Sequence, residues 1–270
     1  MKEITLYNGD CLEIMKDIPD KSVDLIICDL PYGCLTTPRA SVGPGWRKEV
    51  EAGKPKTLYR EKADVCAWDV KIDLEAFWKE IKRIRKDDHT PTLHFCTTKF
   101  GYDLIQSNPN EFRYDLVWDK QRGVNFLSAN KMPMRCHEMI YVFSKAGALY
   151  NRIDISGNFP VQGGGRSRSN FIDAINGFKE NKKVEAGRRC VKTVIPLTNV
   201  LKSDQHPTEK PEALYRFLIE RYCPIAGTVL DPTFGSGNSV FTAYAMDRSA
   251  IGIEKDEKFF EKAEKRLEAL

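Results

Sequence analysis

The sequence predicts an α/β domain with a mostly parallel central sheet, and three observations support this fold class. Short apolar runs alternate along the chain with segments in which apolar residues recur at helical spacing. The run at 23–28 is nearly continuous in apolar side chains, which is typical of a parallel strand buried on both faces. The runs at 23–28 and 228–230 both end in turns that contain proline or glycine.

Helices are predicted where apolar residues share one face. Residues 74–84 and the segment after Pro211 have this spacing, and a proline suits the first turn of a helix. Asp256 is expected to cap the last helix through its carboxylate. Shorter helices are predicted after residue 10 and at 239–246. The predicted strands lie at 4–7, 23–28, 92–96, 114–118, 139–143, 228–230 and 250–253.

Two segments interrupt this alternation. Residues 35–66 lack clear periodicity and contain three prolines, so we expect a long excursion from the domain that is either mobile or ordered by a ligand. Residues 151–200 contain three successive glycines, many polar residues and few periodic apolar positions. We expect them to form an inserted region and not a continuation of the sheet. The expected organisation is one domain made of 1–150 and 201–270, with 151–200 inserted.

Positive charge is concentrated in the inserted region. Eight basic and three acidic residues lie between positions 160 and 192, so this stretch alone exceeds the net charge of +4 of the whole chain. Such a concentration is expected of a face that meets phosphate groups. A solvated loop with a basic bias would give the same pattern.

The cysteines and the hydropathy of the chain exclude several other classes. The eight cysteines are scattered without a C-x-x-C pair, so reduced thiols are expected and no metal site is predicted. No apolar run approaches the roughly 20 residues that cross a bilayer, and the N-terminal residues do not resemble a signal peptide. We therefore expect a soluble cytoplasmic protein.

A glycine turn follows the predicted strand at 228–230. In the sequence Asp-Pro-Thr-Phe-Gly-Ser-Gly-Asn-Ser at 231–239, two glycines allow the backbone to approach a ligand closely. Glu254 ends the next predicted strand, where a carboxylate can accept hydrogen bonds from ribose hydroxyls. Position 240, where a dinucleotide fingerprint needs a third glycine, is Val240. A nucleoside without pyrophosphate is therefore favoured, and a tight turn without any ligand is the alternative.

The tetrapeptide Asp29-Leu30-Pro31-Tyr32 carries groups suited to catalysis and directly follows the buried run at 23–28. This places it at the carboxyl edge of the sheet, where α/β proteins bind ligands. One reaction that needs such groups is methyl transfer to an exocyclic amine of a nucleobase. This amine is a weak nucleophile because its lone pair is delocalised into the ring. Asp29 and the Leu30 carbonyl could accept its two N–H bonds and stabilise the developing positive charge. Tyr32 could stack on a base taken out of the duplex. An ordinary proline-containing turn is the alternative.

Together these segments resemble the β-group DNA amino-methyltransferases, which use S-adenosylmethionine to methylate adenine N6 or cytosine N4. Three stretches carry the resemblance: 9–32, His-Pro-Thr-Glu-Lys-Pro at 206–211, and 231–254 with the closing helix. The tetrapeptide precedes the glycine turn, as in this group. The resemblance implies a Rossmann-like methyltransferase fold with helices on both faces of the sheet and a circularly permuted motif order. In that order the last helix connects through space to the first strand.

The resemblance also implies roles for individual residues. The catalytic residues would be Asp29, Leu30, Pro31 and Tyr32. Asp231, Gly235 and Gly237 would line the methionine part of the cofactor, Glu254 would bind its ribose, and Asp10 would lie near its adenine. The predicted cofactor-binding residues are Asp10, Cys11, Asp29, His206, Thr208, Lys210, Asp231, Pro232, Thr233, Phe234, Gly235, Ser236, Gly237, Asn238, Ser239, Glu254 and Lys255.

The inserted region at 151–200 would recognise the target, and the loop at 121–126 is a second candidate for DNA contact. The predicted DNA-binding residues are Arg122, Asn125, Arg166, Arg168, Lys182, Lys183, Arg188 and Arg189. The implied partner is double-stranded DNA. A second copy of the chain and a cognate restriction endonuclease are further candidate partners, and a bacterium, or a phage acting in its host, is the expected setting.

Two positions depart from the family pattern. Leu30 replaces the usual proline but keeps the carbonyl that the chemistry needs, and Thr233 stands where phenylalanine normally follows Asp-Pro, with Phe234 next. Both glycines of the turn are retained. Asp29 at the start of the tetrapeptide favours adenine N6 as the target. The alternatives are a cytosine-N4 DNA methyltransferase, an RNA methyltransferase, an inactive DNA-binding module and a nicotinamide-dependent oxidoreductase.

Overall fold

The computed structural model describes residues 2–32, 71–124, 126, 129–157, 187–199 and 209–270. Contacts divide the chain into two units, one formed by Met1–Tyr150 with Val194–Leu270 and the other by Asn151–Thr193. The predicted excursion at 35–66 lies outside the described residues.

The described part of the larger unit is built on an eight-stranded sheet in the order β1-β10-β9-β2-β3-β5-β4-β8. All neighbours pair in parallel except at β5, which is antiparallel to both β3 and β4. This is the predicted mostly parallel sheet. Its strands are β1 Ile4–Asn8, β2 Leu25–Cys28, β3 Thr92–Cys96, β4 Phe112–Val124, β5 Arg135–Phe143, β8 Val194–Pro196, β9 Thr228–Asp231 and β10 Ser249–Glu254.

The helices begin at capping residues that the sequence supplies. The Asp73 carboxylate accepts hydrogen bonds from two backbone N–H groups of α2, and Thr97 and Asp256 cap α3 and α6 in the same way. A 3₁₀ turn at Met15–Asp17 follows α1. The helices are α1 Cys11–Ile14, α2 Leu74–Ile84, α3 Thr98–Ser107, α4 Glu212–Tyr222, α5 Asn238–Ala245 and α6 Glu257–Glu268.

Helices cover both faces of the sheet, as the resemblance implied. Leu25 and Ile27 of β2 belong to a core cluster that includes side chains of α4, α5 and α6. Ile26 and Cys28 point the other way, into a cluster with α2 and α3. This alternation explains why the run at 23–28 is apolar at nearly every position.

The two ends of the chain meet in the sheet, as the permuted order of motifs implied. β1 pairs in parallel with β10, with Ile4 opposite Ala250, and α6 packs beside β1. The first and last segments of the chain are therefore neighbours in the sheet, which brings Asp10 close to Lys255.

Three differences from the predicted elements have physical causes. The strands predicted at 114–118 and 139–143 extend to β4 and β5, because their polar outer ends continue the antiparallel ladder. Helix α3 was not predicted, since only Phe100, Gly101 and Leu104 of its ten residues are buried. Residues 194–196 pair with β4, so the expectation that none of 151–200 continues the sheet is wrong at its C-terminal end.

The smaller unit is described at 151–157 and 187–193. Within it, β6 Ile155–Ser156 pairs antiparallel with β7 Arg188–Arg189. None of the helices in the described part of the chain is long and apolar enough to span a membrane.

Candidate active site

Adjacent parallel strands bring the two predicted motifs together. β2 pairs with β9, with Leu25 opposite Val229, so both strands end at the same edge of the sheet. Asp29 follows β2 and the glycine turn follows β9 at that edge. A cavity of about 300 Å3 opens between them and is lined by residues of both motifs. The position agrees with the general rule for ligand sites in parallel α/β sheets.

Most of the predicted cofactor residues in the described ranges line this cavity. They are Asp10, Cys11, Asp29, Lys210, Pro232, Thr233, Phe234, Gly235, Ser236, Glu254 and Lys255, joined by Pro31 of the tetrapeptide. The cavity is also lined by residues that were not predicted, namely Gly9, Leu12, Lys71, Ile72, Asp73, Glu209 and Tyr215. Asp231, Gly237, Asn238 and Ser239 are not among the described residues that line it. His206 and Thr208 lie outside the described residues.

Both glycines of the turn have a backbone conformation that favours glycine. Gly235 has φ 55° and Gly237 has φ 80°, in the left-handed region. A Cβ at Gly237 would also lie 2.7 Å from the Phe241 ring. Gly237 therefore shapes the turn and the start of α5, whereas Gly235 belongs to the cavity wall.

Asp231 stabilises the glycine turn but does not line the cavity. Its two carboxylate oxygens accept hydrogen bonds from the Thr233 backbone N–H, at 3.0 Å, and from the Ser239 hydroxyl, at 2.5 Å. The side chain is buried, and this burial raises the pKa of Asp231 to about 7. Its contacts are those of a residue that fixes the turn.

Glu254 connects the turn to the end of β10 and faces the cavity. Its carboxylate accepts hydrogen bonds from the backbone N–H groups of Gly235 and Asp256, each at 2.8 Å. Each oxygen keeps further acceptor capacity for a ligand. Burial raises the pKa of Glu254 above its ordinary value.

Asn238 fixes the segment that carries Lys210. Its amide Nδ2 donates to Glu209 Oε1 at 2.6 Å and to the Lys210 carbonyl at 3.0 Å, while its Oδ1 accepts from Arg266 at 2.8 Å. The first helical residue after the glycine turn thus holds residues 209–210 against the cavity.

Four side chains form a polar cluster at the end of β2, here called the carboxylate corner: Asp29, Tyr32, Glu138 and Lys210. The Tyr32 hydroxyl donates to Asp29 Oδ1 at 2.8 Å and lies 3.2 Å from Glu138 Oε1. Lys210 Nζ forms an ion pair with Asp29 Oδ2 and lies 3.8 Å from Glu138 Oε1. The other carboxylate oxygen of Glu138 pairs with Lys120 at 2.8 Å.

Burial and neighbouring charges oppose each other in this corner. Burial raises the pKa of Asp29 above its ordinary value although Lys210 acts in the opposite direction. Burial also disfavours ionised Glu138, but Lys210 and Lys120 outweigh it and hold the pKa of Glu138 below its ordinary value. The two carboxylates raise the pKa of Lys210 against the effect of its burial.

The rest of the tetrapeptide is divided between core and cavity. The Leu30 side chain is buried in the core cluster next to α2, whereas Pro31 lines the cavity. The Tyr32 ring lies against Phe100, with ring centroids 5.0 Å apart and a 33° angle between the planes. Phe100 belongs to α3, so the unpredicted helix supports the tyrosine.

Among the predicted DNA-binding residues, the structure describes Arg122, Arg188 and Arg189. Arg122 is exposed near the end of β4, and the other two form β7. Asn125, Arg166, Arg168, Lys182 and Lys183 lie outside the described residues.

Glu138 and Lys120 were not singled out in the sequence. Both are charged residues in strands that also contain apolar stretches, and charged residues usually face solvent. Glu138 reaches the end of β2 because β5 pairs with β3 and β3 pairs with β2, and the pairing of β4 with β5 places Lys120 beside Glu138. The pattern that could have marked Glu138 is its position immediately before the apolar part of β5.

The chain matches a known family over most of its length. The model of the N6/N4 methyltransferase family, described as DNA methylase, matches residues 23–265. The Type II methyltransferase M.HinfI of Haemophilus influenzae is 28% identical over 281 residues, covering 97% of this chain and 68% of that protein. The Type II methyltransferase M.XycI of Xanthomonas campestris pv. cyanopsidis is 23% identical over 303 residues, covering 98% of this chain and 87% of that protein.

Solved structures show the same fold. The PvuII DNA methyltransferase, described as cytosine-N4-specific, superimposes with a TM-score of 0.63 at 13% identity, covering 98% of this chain and 86% of that one. The M1.HpyAVI–SAM complex superimposes with a TM-score of 0.57 at 19% identity, covering 98% of both chains. The predicted Rossmann-like methyltransferase fold is thereby confirmed. Because the family model spans the tetrapeptide, the glycine turn and the sheet that joins them, the protein belongs to the N6/N4 family of DNA methyltransferases.

Proposed function

We propose that the protein transfers a methyl group from S-adenosylmethionine to N6 of an adenine flipped out of duplex DNA. The observation that carries this proposal is the position of Asp29. Its carboxylate lies at the end of β2, next to Tyr32, and lines the same cavity as the glycine turn. An acceptor for the target amine and the proposed cofactor site therefore share one cavity.

The cavity suits a cofactor that carries positive charge. Five carboxylates line it (Asp10, Asp29, Asp73, Glu209 and Glu254), against three lysines (Lys71, Lys210 and Lys255). Glu209 Oε2 and the Thr233 hydroxyl are buried without a hydrogen-bond partner among the described residues. Buried polar atoms normally have partners, so these two atoms are suited to ligand groups. S-adenosylmethionine, whose complexes are known for this fold, would supply a methyl group bound to a sulfonium.

The tetrapeptide would activate the target amine. Asp29 accepts one N–H bond of the amine and the Leu30 carbonyl accepts the other, which localises the lone pair on nitrogen. As that nitrogen bonded to the methyl carbon, the bond from that carbon to sulfur would break and leave a neutral thioether. The nitrogen would become positive, and both acceptors would stabilise this charge. Asp29 then takes up the proton that the nitrogen releases and passes it to water. Its raised pKa brings the carboxylate closer to that task. Tyr32 stacks on the flipped base.

Adenine is preferred to cytosine because the tetrapeptide begins with aspartate, which favours adenine within the family. Both bases present an exocyclic amine, so the same corner could serve a cytosine-N4 enzyme. Transfer of labelled methyl to unmethylated duplex DNA, followed by mass spectrometry of the nucleosides, separates the two. We expect N6-methyladenine, and none of it with Asp29→Ala. N4-methylcytosine would correct the base and retain the mechanism.

Within the predicted range 151–200, residues 151–193 are the proposed target-recognition region, and 1–150 with 194–270 the catalytic domain, since 194–196 pair with β4. The structural division at 193/194 supports a separate role for the inserted segment. In the described part of this segment, Arg188 and Arg189 are adjacent in β7. Lysine and arginine side chains there would hold phosphates, and others would contact base edges. Exchange of 151–193 for alanine-rich sequence should abolish sequence preference while cofactor binding is retained.

The arm formed by the outer ends of β4 and β5 is a second proposed DNA contact. Residues 120–137 include four arginines and lysines and no acidic residue. In this arm Arg122, Phe126 and Met132 are exposed, with 76% of Phe126 accessible. Basic and apolar side chains together suit contact with phosphates and unstacked bases. The predicted contact residue Asn125 lies in the same sequence range but outside the described residues.

A cognate restriction endonuclease and a second copy of the chain are the proposed protein partners. Two relatives are named Type II methyltransferases, which supports a role beside an endonuclease. Protection of in vitro methylated DNA from that endonuclease would test the first partner, and the mass of the protein in solution would test the second.

A further inference from the structure

Both carboxylate oxygens of Asp29 already hold internal donors. The Tyr32 hydroxyl donates to Oδ1 at 2.8 Å, and Lys210 Nζ forms an ion pair with Oδ2. The ion pair adds the attraction of opposite charges to the hydrogen bond, which a neutral donor lacks. Each oxygen keeps room for a second donor, but the ion pair with Lys210 neutralises the negative charge of the acceptor that the proposed reaction requires.

A second carboxylate lies within reach of both donors. Glu138 Oε1 is 3.2 Å from the Tyr32 hydroxyl and 3.8 Å from Lys210 Nζ. Only 15% of the Glu138 side chain is exposed, so few water molecules compete for that oxygen. Lys210 would move by about 1 Å to make a full contact with Glu138, given ordinary hydrogen-bond lengths.

We propose that Glu138 is a positioning residue that accepts Tyr32 and Lys210 when the target amine takes over Asp29. This inference rests on the proposed function, because it supposes that Asp29 binds an amine. No covalent bond changes in the exchange and the number of ions is constant. Lys210 leaves one carboxylate for another without passing through water, so the barrier is lower than for a buried lysine that loses its only partner.

A purely structural role for Glu138 makes different predictions. Glu138 also pairs with Lys120 at 2.8 Å and lies opposite Trp118 in the β4–β5 ladder. If the residue only joined these strands, its replacement would lower stability and would reduce every activity in proportion to the loss of folded protein.

The first test is Glu138→Gln, which keeps the volume and an acceptor for Tyr32 but removes the charge that attracts Lys210. We expect kcat to fall about 10- to 100-fold at saturating DNA and cofactor, since a charge-assisted contact is lost from the active arrangement. The Kd of S-adenosylmethionine, measured by calorimetry, should change less than about threefold. An unchanged kcat would overturn the proposal.

The matched control is Glu111→Gln. Glu111 is also a buried carboxylate, hydrogen-bonded to Arg85 at 2.8 and 3.1 Å, but it does not line the cavity. This variant should lose stability and keep kcat within about twofold of the parent. Equal losses of kcat in the two variants would identify a general effect of removing a buried charge.

The decisive measurement is the combination of Glu138→Gln with Lys210→Met. Lys210 is the donor that neutralises Asp29 when Glu138 cannot receive it, so its removal should lower kcat less in the Glu138→Gln variant than in the wild type. The double variant should lose less kcat than the product of the two single losses, while the free energies of urea unfolding remain additive. A kcat loss equal to that product, or larger, would overturn the proposal.

Lys120→Met provides an independent variant if Glu138→Gln does not fold. It removes the other partner of Glu138 and leaves the charge that receives Lys210. We expect kcat to fall less than about tenfold relative to the wild type, and a larger loss would favour the structural role. Wild-type transfer to either adenine or cytosine validates the series, because the exchange needs only an amine. Absence of transfer by the wild type would overturn the proposed function and this inference together.

Discussion

The glycine turn and the carboxylate corner lie at the same edge of the sheet but are assembled in different ways. The contacts of the turn are local: Asp231 binds Thr233 and Ser239, and Gly235 binds Glu254, 19 residues away. The corner joins distant segments. The Tyr32–Glu138 contact spans 106 residues and the Lys210–Asp29 contact spans 181.

This difference separates what each region is expected to do. The turn uses backbone conformation and two carboxylates to form a concave wall, which is suited to hold the cofactor. The corner concentrates ionisable groups from several segments, which is suited to handle charge and protons. Variants in the two regions should therefore affect different measurable quantities.

Asp29→Asn should have the largest effect. The amide cannot take up a proton and is a weaker acceptor for the target amine, so methyl transfer should fall at least about 100-fold, as for removal of a preorganised electrostatic group. Cofactor affinity should remain within about threefold of wild type, because this residue only borders the cofactor site. Single-turnover transfer and calorimetry measure the two quantities. A variant with wild-type transfer would remove Asp29 from the chemistry.

Gly252→Ala should have the opposite profile. A Cβ there would lie 2.7 Å from Phe234 and 3.0 Å from both Leu6 and Val240. Overpacking should cost about 1–3 kcal/mol of stability and push Phe234 into the cavity. We expect the Kd of S-adenosylmethionine to rise about tenfold, with kcat little changed at saturation. Gly147→Ala, where a Cβ meets no atom of the described residues within 4 Å, is the control and should resemble wild type.

The raised pKa of Asp231 should make the stability of the protein depend on pH. Its folded-state pKa of about 7 lies above the ordinary value of 3.8, so the folded state holds a proton that the unfolded state releases. This group therefore makes stability fall as pH rises from about 4 to 7. Between pH 5 and 8, the wild type should lose on the order of 2 kcal/mol relative to Asp231→Asn. Urea unfolding at both pH values measures this, and parallel curves would contradict it.

Thr233→Val should have the smallest effect. The hydroxyl is buried without a hydrogen-bond partner among the described residues and lines the cavity. If it binds the cofactor, its loss should raise the Kd about 3- to 10-fold, the value of one neutral hydrogen bond. Thr242→Val is a matched control, because that hydroxyl is also buried and unpartnered but does not line the cavity. Equal Kd values for both variants would leave Thr233 without a role in binding.

The sequence predicted the bounds of helices and strands where their periodicity was clear within one continuous segment. The helix at 74–84 and the strand at 92–96 have the predicted bounds, since their side chains follow one clear periodicity. Helix α3 and the edge strand β8 were missed because packing, and not local pattern, stabilises them. Phe100 and Leu104 of α3 are held by the core, and residues 194–196 acquire their structure from β4.

The same distinction applies to the site. Eleven of the predicted cofactor residues line the cavity, because the motif residues surround strand ends that the sheet places together. Asp231, by contrast, holds the turn from behind, since its carboxylate is bound by Thr233 and Ser239. Glu209 and Tyr215 line the cavity because of the way α4 and the segment before it pack, and no local sequence pattern encodes that packing.

The sequence by itself determined the fold class, the permuted order of motifs and the identities of Asp29, Tyr32 and the glycine turn. These depend on residue type and short spacing, which a chain carries before it folds. The tertiary structure alone decided that Glu138 lies beside Tyr32 and Lys210, and that Lys210 pairs with Asp29. The Tyr32–Glu138 and Lys210–Asp29 contacts join residues that are 106 and 181 positions apart in the sequence. Their formation depends on strand order and burial, because only a shared low-dielectric corner makes these charges interact strongly.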